Sequence, residues 1–103
     1  EISPLSLHDA LPIWGANVFP SAVETALRSV PELGPEFRIR VSKRGALDEL
    51  TVEAEADPGD DALRARTEEA LARVLGIRTG VTLLTPGTLP ETTFKARRVV
   101  DER

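Results

Sequence analysis

Two short blocks of strict alternation constrain this chain more than anything else in it. Phe37, Ile39 and Val41 alternate with Arg38, Arg40 and Ser42, and Leu50, Val52 and Ala54 alternate with Thr51, Glu53 and Glu55. Successive side chains on a strand point to opposite faces, so a period of two describes a sheet with one buried and one solvated side. Lys43-Arg44-Gly45-Ala46 lies between the blocks and reads as a turn, so the pair predicts an antiparallel hairpin. Its outward arginines and glutamates are placed to pair across the ladder, at about 0.2–1 kcal/mol per pair. Such a pattern describes a solvated sheet face rather than a binding site.

Helical periodicity flanks the hairpin on both sides. Upstream, Val23, Leu27 and Val30 fall at i, i+4 and i+7, and Pro31 stops the run. Ser21 with Glu24 three residues on matches the capping box S-x-x-E, which predicts Ser21 as the N-cap. A short strand over residues 14–19 precedes this helix, with Val18 facing the core. Downstream, Asp57-Pro58-Gly59-Asp60 is a loop feeding a second helix capped by Asp60 or Asp61. Leu63, Thr67, Ala70, Leu71 and Val74 trace its inward stripe, and Gly76 sits where a helix C-terminal glycine belongs. Residues 81–84 read as a last core strand, and Pro86-Gly87 turns the chain away. The order strand, helix, strand, strand, helix, strand predicts an α+β, ferredoxin-like βαββαβ fold, an antiparallel sheet with both helices on one face. That fold hosts many functions and by itself selects none.

Composition removes several function classes. A chain of 103 residues is one domain, with room for a modest core and little for an enclosed active site. The net charge of -4 and an aromatic content of 4% argue against a nucleic-acid module, which needs a basic face or a stacking platform. With no cysteine and one histidine, neither a disulfide framework nor the usual zinc site can be built, and no metal ligands are expected in the chain. No apolar run approaches the roughly 20 residues that span a bilayer. A cytoplasmic location is the expectation.

Residues 1–13 (EISPLSLHDALPI) do not follow the logic of the rest. They lack a basic start and an unbroken apolar stretch, so they are no signal peptide. The run Leu7-His8-Asp9-Ala10-Leu11-Pro12-Ile13 resembles the translation of a sequencing-adapter oligonucleotide. The expectation is an adapter-derived artefact or linker over 1–13, standing in place of native upstream sequence, with the domain proper over 14–103. His8 and Asp9 are therefore assigned no chemistry; adjacent side chains point apart in any case.

Three motifs in order carry a resemblance to a known family. They are Gly15-x-Asn17-Val18-Phe19-Pro20-Ser21-x-Val23-Glu24, then Asp48-Glu49-Leu50-Thr51-Val52, then Pro86-Gly87-Thr88-Leu89-Pro90 leading to Lys95-Ala96-Arg97-Arg98-Val99. With these, residues 14–103 resemble the C-terminal domain of phenylacetate–coenzyme A ligase and its relatives in the acyl-adenylate-forming ligase superfamily. The resemblance implies a mobile lid of an AMP-forming carboxylate–CoA ligase, inactive without a large N-terminal adenylation domain. It implies ATP, Mg2+ and coenzyme A as cofactors of the whole enzyme, and a carboxylic acid, phenylacetate being the family's namesake, as substrate.

The same resemblance assigns the catalytic role to Lys95, whose ammonium would offset charge developing between carboxylate and α-phosphate. Phe94 stands where the family usually has glycine, and Glu91 where arginine is common. Gly15 is the candidate for coenzyme A binding, on a loop that approaches the pantetheine arm where a side chain would clash. Asn17 is expected as an exposed strand residue and Phe19 as a core anchor. Two other classes compete with the ligase reading: a free-standing ferredoxin-like module that binds a small ligand or regulates, and an assembly domain pairing through an open sheet edge.

Overall fold

The computed structural model describes residues 11–13, 16–45, 47–57, 59–89 and 99–102. Along the chain run β1 (Leu11–Ile13), β2 (Ala16–Val18), α1 (Pro20–Arg28), β3 (Leu33–Arg44), β4 (Leu47–Ala56), α2 (Asp61–Leu75), β5 (Gly80–Leu84) and β6 (Val99–Asp101). The α+β class and the helix–hairpin–helix order hold.

The hairpin forms as the alternation requires. β3 and β4 pair antiparallel from Phe37↔Ala54 to Arg44↔Leu47. Phe37, Ile39, Val41, Leu50, Val52 and Ala54 are all buried in one cluster with Val23, Ala26 and Leu27 of α1 and Leu71 of α2. Both helices therefore cover the same sheet face. The opposite face carries Arg38, Arg40, Thr51 and Glu53, each only partly buried.

The sheet itself is mixed, which corrects the antiparallel expectation. Its strand order is β5-β4-β3-β6, with β4–β5 and β3–β6 both parallel. The cause lies in β2. An antiparallel split arrangement needs that strand inside the sheet, but β2 pairs with β1 in a separate two-stranded ribbon, Leu11↔Val18 to Ile13↔Ala16. With nothing inserted beside β4, the helical crossover through α2 returns the chain directly alongside it, and such a crossover yields a parallel pair. β1 lies within residues 1–13. β6 is a further strand at the far edge, beyond the one read as last.

Both helix starts follow local chemistry. α1 begins one residue before the expected cap: Phe19 is the N-cap, with no side-chain cap bond, and Pro20 occupies the first helical position. Proline fits there because its fixed φ is helical and its missing N–H has no partner at that position anyway. Ser21 thus falls inside the first turn, where its carbonyl accepts from the Thr25 hydroxyl at 3.0 Å. Phe19 is 42% exposed and is not the core anchor the motif implied. In α2 the cap reading holds: Asp60 Oδ1 accepts from the Leu63 N–H at 2.8 Å, and Gly76 ends the helix at φ 75°. Leu63, Thr67, Ala70 and Leu71 are buried, but Val74 is 45% exposed. Leu75, four residues after Leu71, packs on the core in its place.

Candidate functional site

Among the described residues, the helix-free face of the sheet carries a connected charge network that runs from β4 across β3 to the residue after β6. Glu53 on β4 lies 3.7 Å from Arg38 and 3.5 Å from Arg40 of β3, and Arg40 reaches Glu102, just past β6, at 2.8 Å. The Glu53 carboxylate, assisted by Glu102 and opposed by partial burial, holds the Arg40 guanidinium above its ordinary range. Like any guanidinium, Arg40 is a fixed cation at any working pH and cannot move protons. What it does is mechanical. With the Glu102 N–H bonded to the Val41 carbonyl at 2.6 Å, it ties the chain after β6 onto β3.

A second carboxylate on the same face departs from the solvated pattern. Glu55 is buried at 6% exposure, whereas Glu53 is only partly buried. The β3–β4 register explains the room it has. Leu33 pairs with Ala56 and Phe37 with Ala54, so Glu55 faces the irregular stretch 34–36 across a β-bulge. Gly34 lies in that stretch, and a Cβ there would sit 3.6 Å from the Glu55 Cβ and 3.9 Å from Oε1. Glu55 turns to the loop after β5, where Oε2 accepts from the Leu89 N–H at 2.6 Å. Leu89 is itself buried.

These two attachments bracket the segment that the sequence singles out. Lys95 lies outside the described residues, as do the other residues from 90 to 98. The described chain leaves at Leu89, held by Glu55 of β4, and returns at Val99, paired with Ile39 of β3. Gly15 also lies outside the described residues; its flanks are β1 and β2, whose last pair is Ile13↔Ala16. Asn17 is exposed, as expected. Nothing in the sequence near position 55 distinguishes Glu55 from Glu53. The bond that does so joins residues 34 apart.

An open cleft of about 760 Å³ lies elsewhere, between the end of α2 and the start of β5. Its lining mixes Glu49 and Glu68 with Arg78 and the buried Thr79, and it presents no single charge to a ligand. Among the described residues no group of three or more His, Cys, Asp or Glu side chains could hold a metal ion. No helix among them is long and apolar enough to cross a membrane.

A buried hairpin under two helices, followed by a tethered loop and a parallel edge strand, is the architecture of a known small domain. The chain matches the model of the AMP-binding enzyme C-terminal domain over residues 15–103 and belongs to that family, the C-terminal domains of AMP-forming ligases. Within it, the likeness is to phenylacetate–CoA ligases. The Thermus thermophilus phenylacetate–coenzyme A ligase is 37% identical over 92% of this chain, which spans 26% of that ligase's length. A solved domain of phenylacetate–coenzyme A ligase from Bacteroides vulgatus overlays with a TM-score of 0.80 at 30% identity, covering 92% of this chain and 93% of that one. A 2-hydroxyisobutyryl-CoA ligase, solved with 2-HIB-AMP and CoA in its thioesterification state, overlays with a TM-score of 0.83 at 33% identity. The overlay covers 93% of this chain and 22% of that ligase.

Proposed function

We propose that this chain works as the mobile C-terminal domain of an AMP-forming carboxylate–coenzyme A ligase, closing on an N-terminal adenylation domain that binds ATP, Mg2+ and the acid. In the first half-reaction a carboxylate oxygen attacks the α-phosphorus of ATP. The new P–O bond forms as the bond to the pyrophosphate oxygen breaks, giving acyl-adenylate and pyrophosphate. Lys95 places its ammonium between two anions that repel as they approach, and a cation in a water-poor site is effective there. In the second half-reaction the thiol of coenzyme A loses its proton to solvent and its sulfur attacks the acyl carbon. The C–S bond forms, the C–O bond breaks and AMP leaves. Gly15, just ahead of β2 in the sequence, is the residue proposed to admit the pantetheine arm, since a glycine has no side chain to clash with it.

The observation that carries this reading is the family match over 15–103, joined to the anchoring of both flanks of residues 90–98 on one sheet. A segment bearing a reactive lysine is useful only if its ends are fixed, since small displacements of a reacting group cost large factors in rate. The relative solved with an acyl-AMP and CoA supports both cofactors. Phenylacetate is the proposed acid and the cytoplasm the proposed compartment. Residues 14–103 are proposed as the domain and residues 1–13 as adapter-derived sequence.

The genomic reading frame upstream of Trp14 tests the domain assignment. It is expected to run into a nucleotide-binding domain, and the full-length protein is expected to release pyrophosphate from ATP when phenylacetate is added. A start codon close to Trp14, or a full-length protein that consumes no ATP with any carboxylic acid, would contradict the proposal.

A further inference from the structure

We infer that Glu55 is a positioning residue for the adenylation step, holding the entrance of the Lys95-bearing segment against the sheet. The inference rests on the role proposed for Lys95 and extends it to a residue that never meets the substrate.

Three observations converge on Glu55. First, it is a carboxylate buried at 6% exposure on the sheet face where Glu53, Arg38 and Arg40 remain partly in water. Burying such a group is costly unless its oxygens are hydrogen-bonded, so its place in the interior needs a bond of matching strength. Second, the bond it makes is a short one, 2.6 Å from the Leu89 N–H, and a carboxylate acceptor makes such a bond stronger than a neutral one. Third, the fold makes room for it. The bulge over 34–36 leaves Glu55 without a regular cross-strand neighbour.

The position of Leu89 gives the bond its consequence. Leu89 is the last described residue before 90–98, and its side chain is buried. At the other end Val99 pairs with Ile39, and Glu102 bridges to Arg40. One end of the segment is thus fixed by a strand ladder and an ion pair, and the other by the Glu55 carboxylate together with the buried Leu89 side chain. Without Glu55, the Leu89 N–H loses its acceptor and the entrance of the segment gains freedom. The adenylation step assigned to Lys95 is then slowed. The thioester step, which is assigned to Gly15 at the other end of the sequence, is left unchanged.

The test uses the full-length ligase that carries this domain, as Glu55→Leu, Glu55→Gln and Lys95→Ala variants. The two half-reactions are assayed separately: pyrophosphate release, and thioester formation from supplied acyl-adenylate. In Glu55→Leu the kcat of pyrophosphate release should fall, by up to about a hundredfold for a displaced reacting group. The KM for ATP and the thioester rate should stay near wild type. Glu55→Gln retains an acceptor oxygen and should recover most of the lost rate. If Lys95→Ala cripples adenylation while a folded Glu55→Leu leaves it intact, or Glu55→Leu slows both half-reactions equally, the inference about Glu55 fails and the role of Lys95 stands. If Lys95→Ala leaves adenylation intact, the proposed function fails first.

Discussion

The carboxylate of Glu55 accepts a hydrogen bond from the backbone N–H of Leu89 at 2.6 Å, with both residues buried at 6% exposure. Removing one partner of a buried hydrogen bond leaves the other unsatisfied, at about 1–3 kcal/mol. Glu55→Ala should therefore destabilise the domain by that amount in urea unfolding. Glu53→Ala should cost less, because Glu53 keeps contact with water and its arginine partners can rehydrate. Equal losses at the two positions would mean that Glu55 is an ordinary ladder residue.

The end of α2 makes a second contrast. Leu71 is fully buried at 0% exposure and Val74 is 45% exposed. Leu71→Ala leaves a cavity under the sheet and should cost about 2–5 kcal/mol. Val74→Ala should stay within about 0.5 kcal/mol of wild type, as surface substitutions do. A large loss at Val74 in thermal or urea melts would restore it to the inward stripe.

Helix capping offers a third. Asp60 accepts from the Leu63 N–H at 2.8 Å, and Asp60→Ala should cost about 0.5–2 kcal/mol. Ser21→Ala should be within about 0.5 kcal/mol of neutral, since the α1 cap is Phe19 and makes no side-chain bond. Circular dichroism melts of the two variants separate the outcomes. A Ser21 variant as damaged as the Asp60 variant would bring back the capping box.

Glu32 and Arg66 form an exposed ion pair at 2.6 Å. The hydrogen bond from Arg66 holds the Glu32 carboxyl below its ordinary value of 4.5 and Glu32 raises the Arg66 guanidinium. A carboxyl with a depressed folded-state pKa adds stability above its unfolded-state value, and that contribution is lost as pH falls through the folded value. Stability measured from neutral pH down through the acid range should therefore fall less steeply in Glu32→Gln than in wild type, and added salt should shrink the difference. Identical pH profiles would show that the pair contributes nothing to folding.

What was legible in the sequence was whatever depends on near neighbours. The alternation at 37–41 and 50–54 placed the hairpin and its buried face, and Asp60 and Gly76 placed the ends of α2, because strand periodicity and capping act over a few residues. Ser21 misled because the motif S-x-x-E is local, yet Pro20 beside it is the stronger local constraint. The mixed sheet was hidden because parallel pairing of β3 with β6 joins Ile39 to Val99. No short-range pattern encodes that. Glu55 was hidden for the same reason: its acid looks like Glu53 until the loop after β5 folds over it. The lysine and glycine of the candidate site were visible only through the resemblance, since a single Lys or Gly carries no chemistry by spacing alone.

Lys95 is proposed to serve one half-reaction of an AMP-forming ligase and not the other. Lys95→Ala in the full-length ligase, assayed for pyrophosphate release and separately for thioester formation from supplied acyl-adenylate, tests this role most directly. Pyrophosphate release should collapse while thioester formation continues at close to the wild-type rate. An equal loss in both half-reactions, or full adenylation without the lysine, would contradict it.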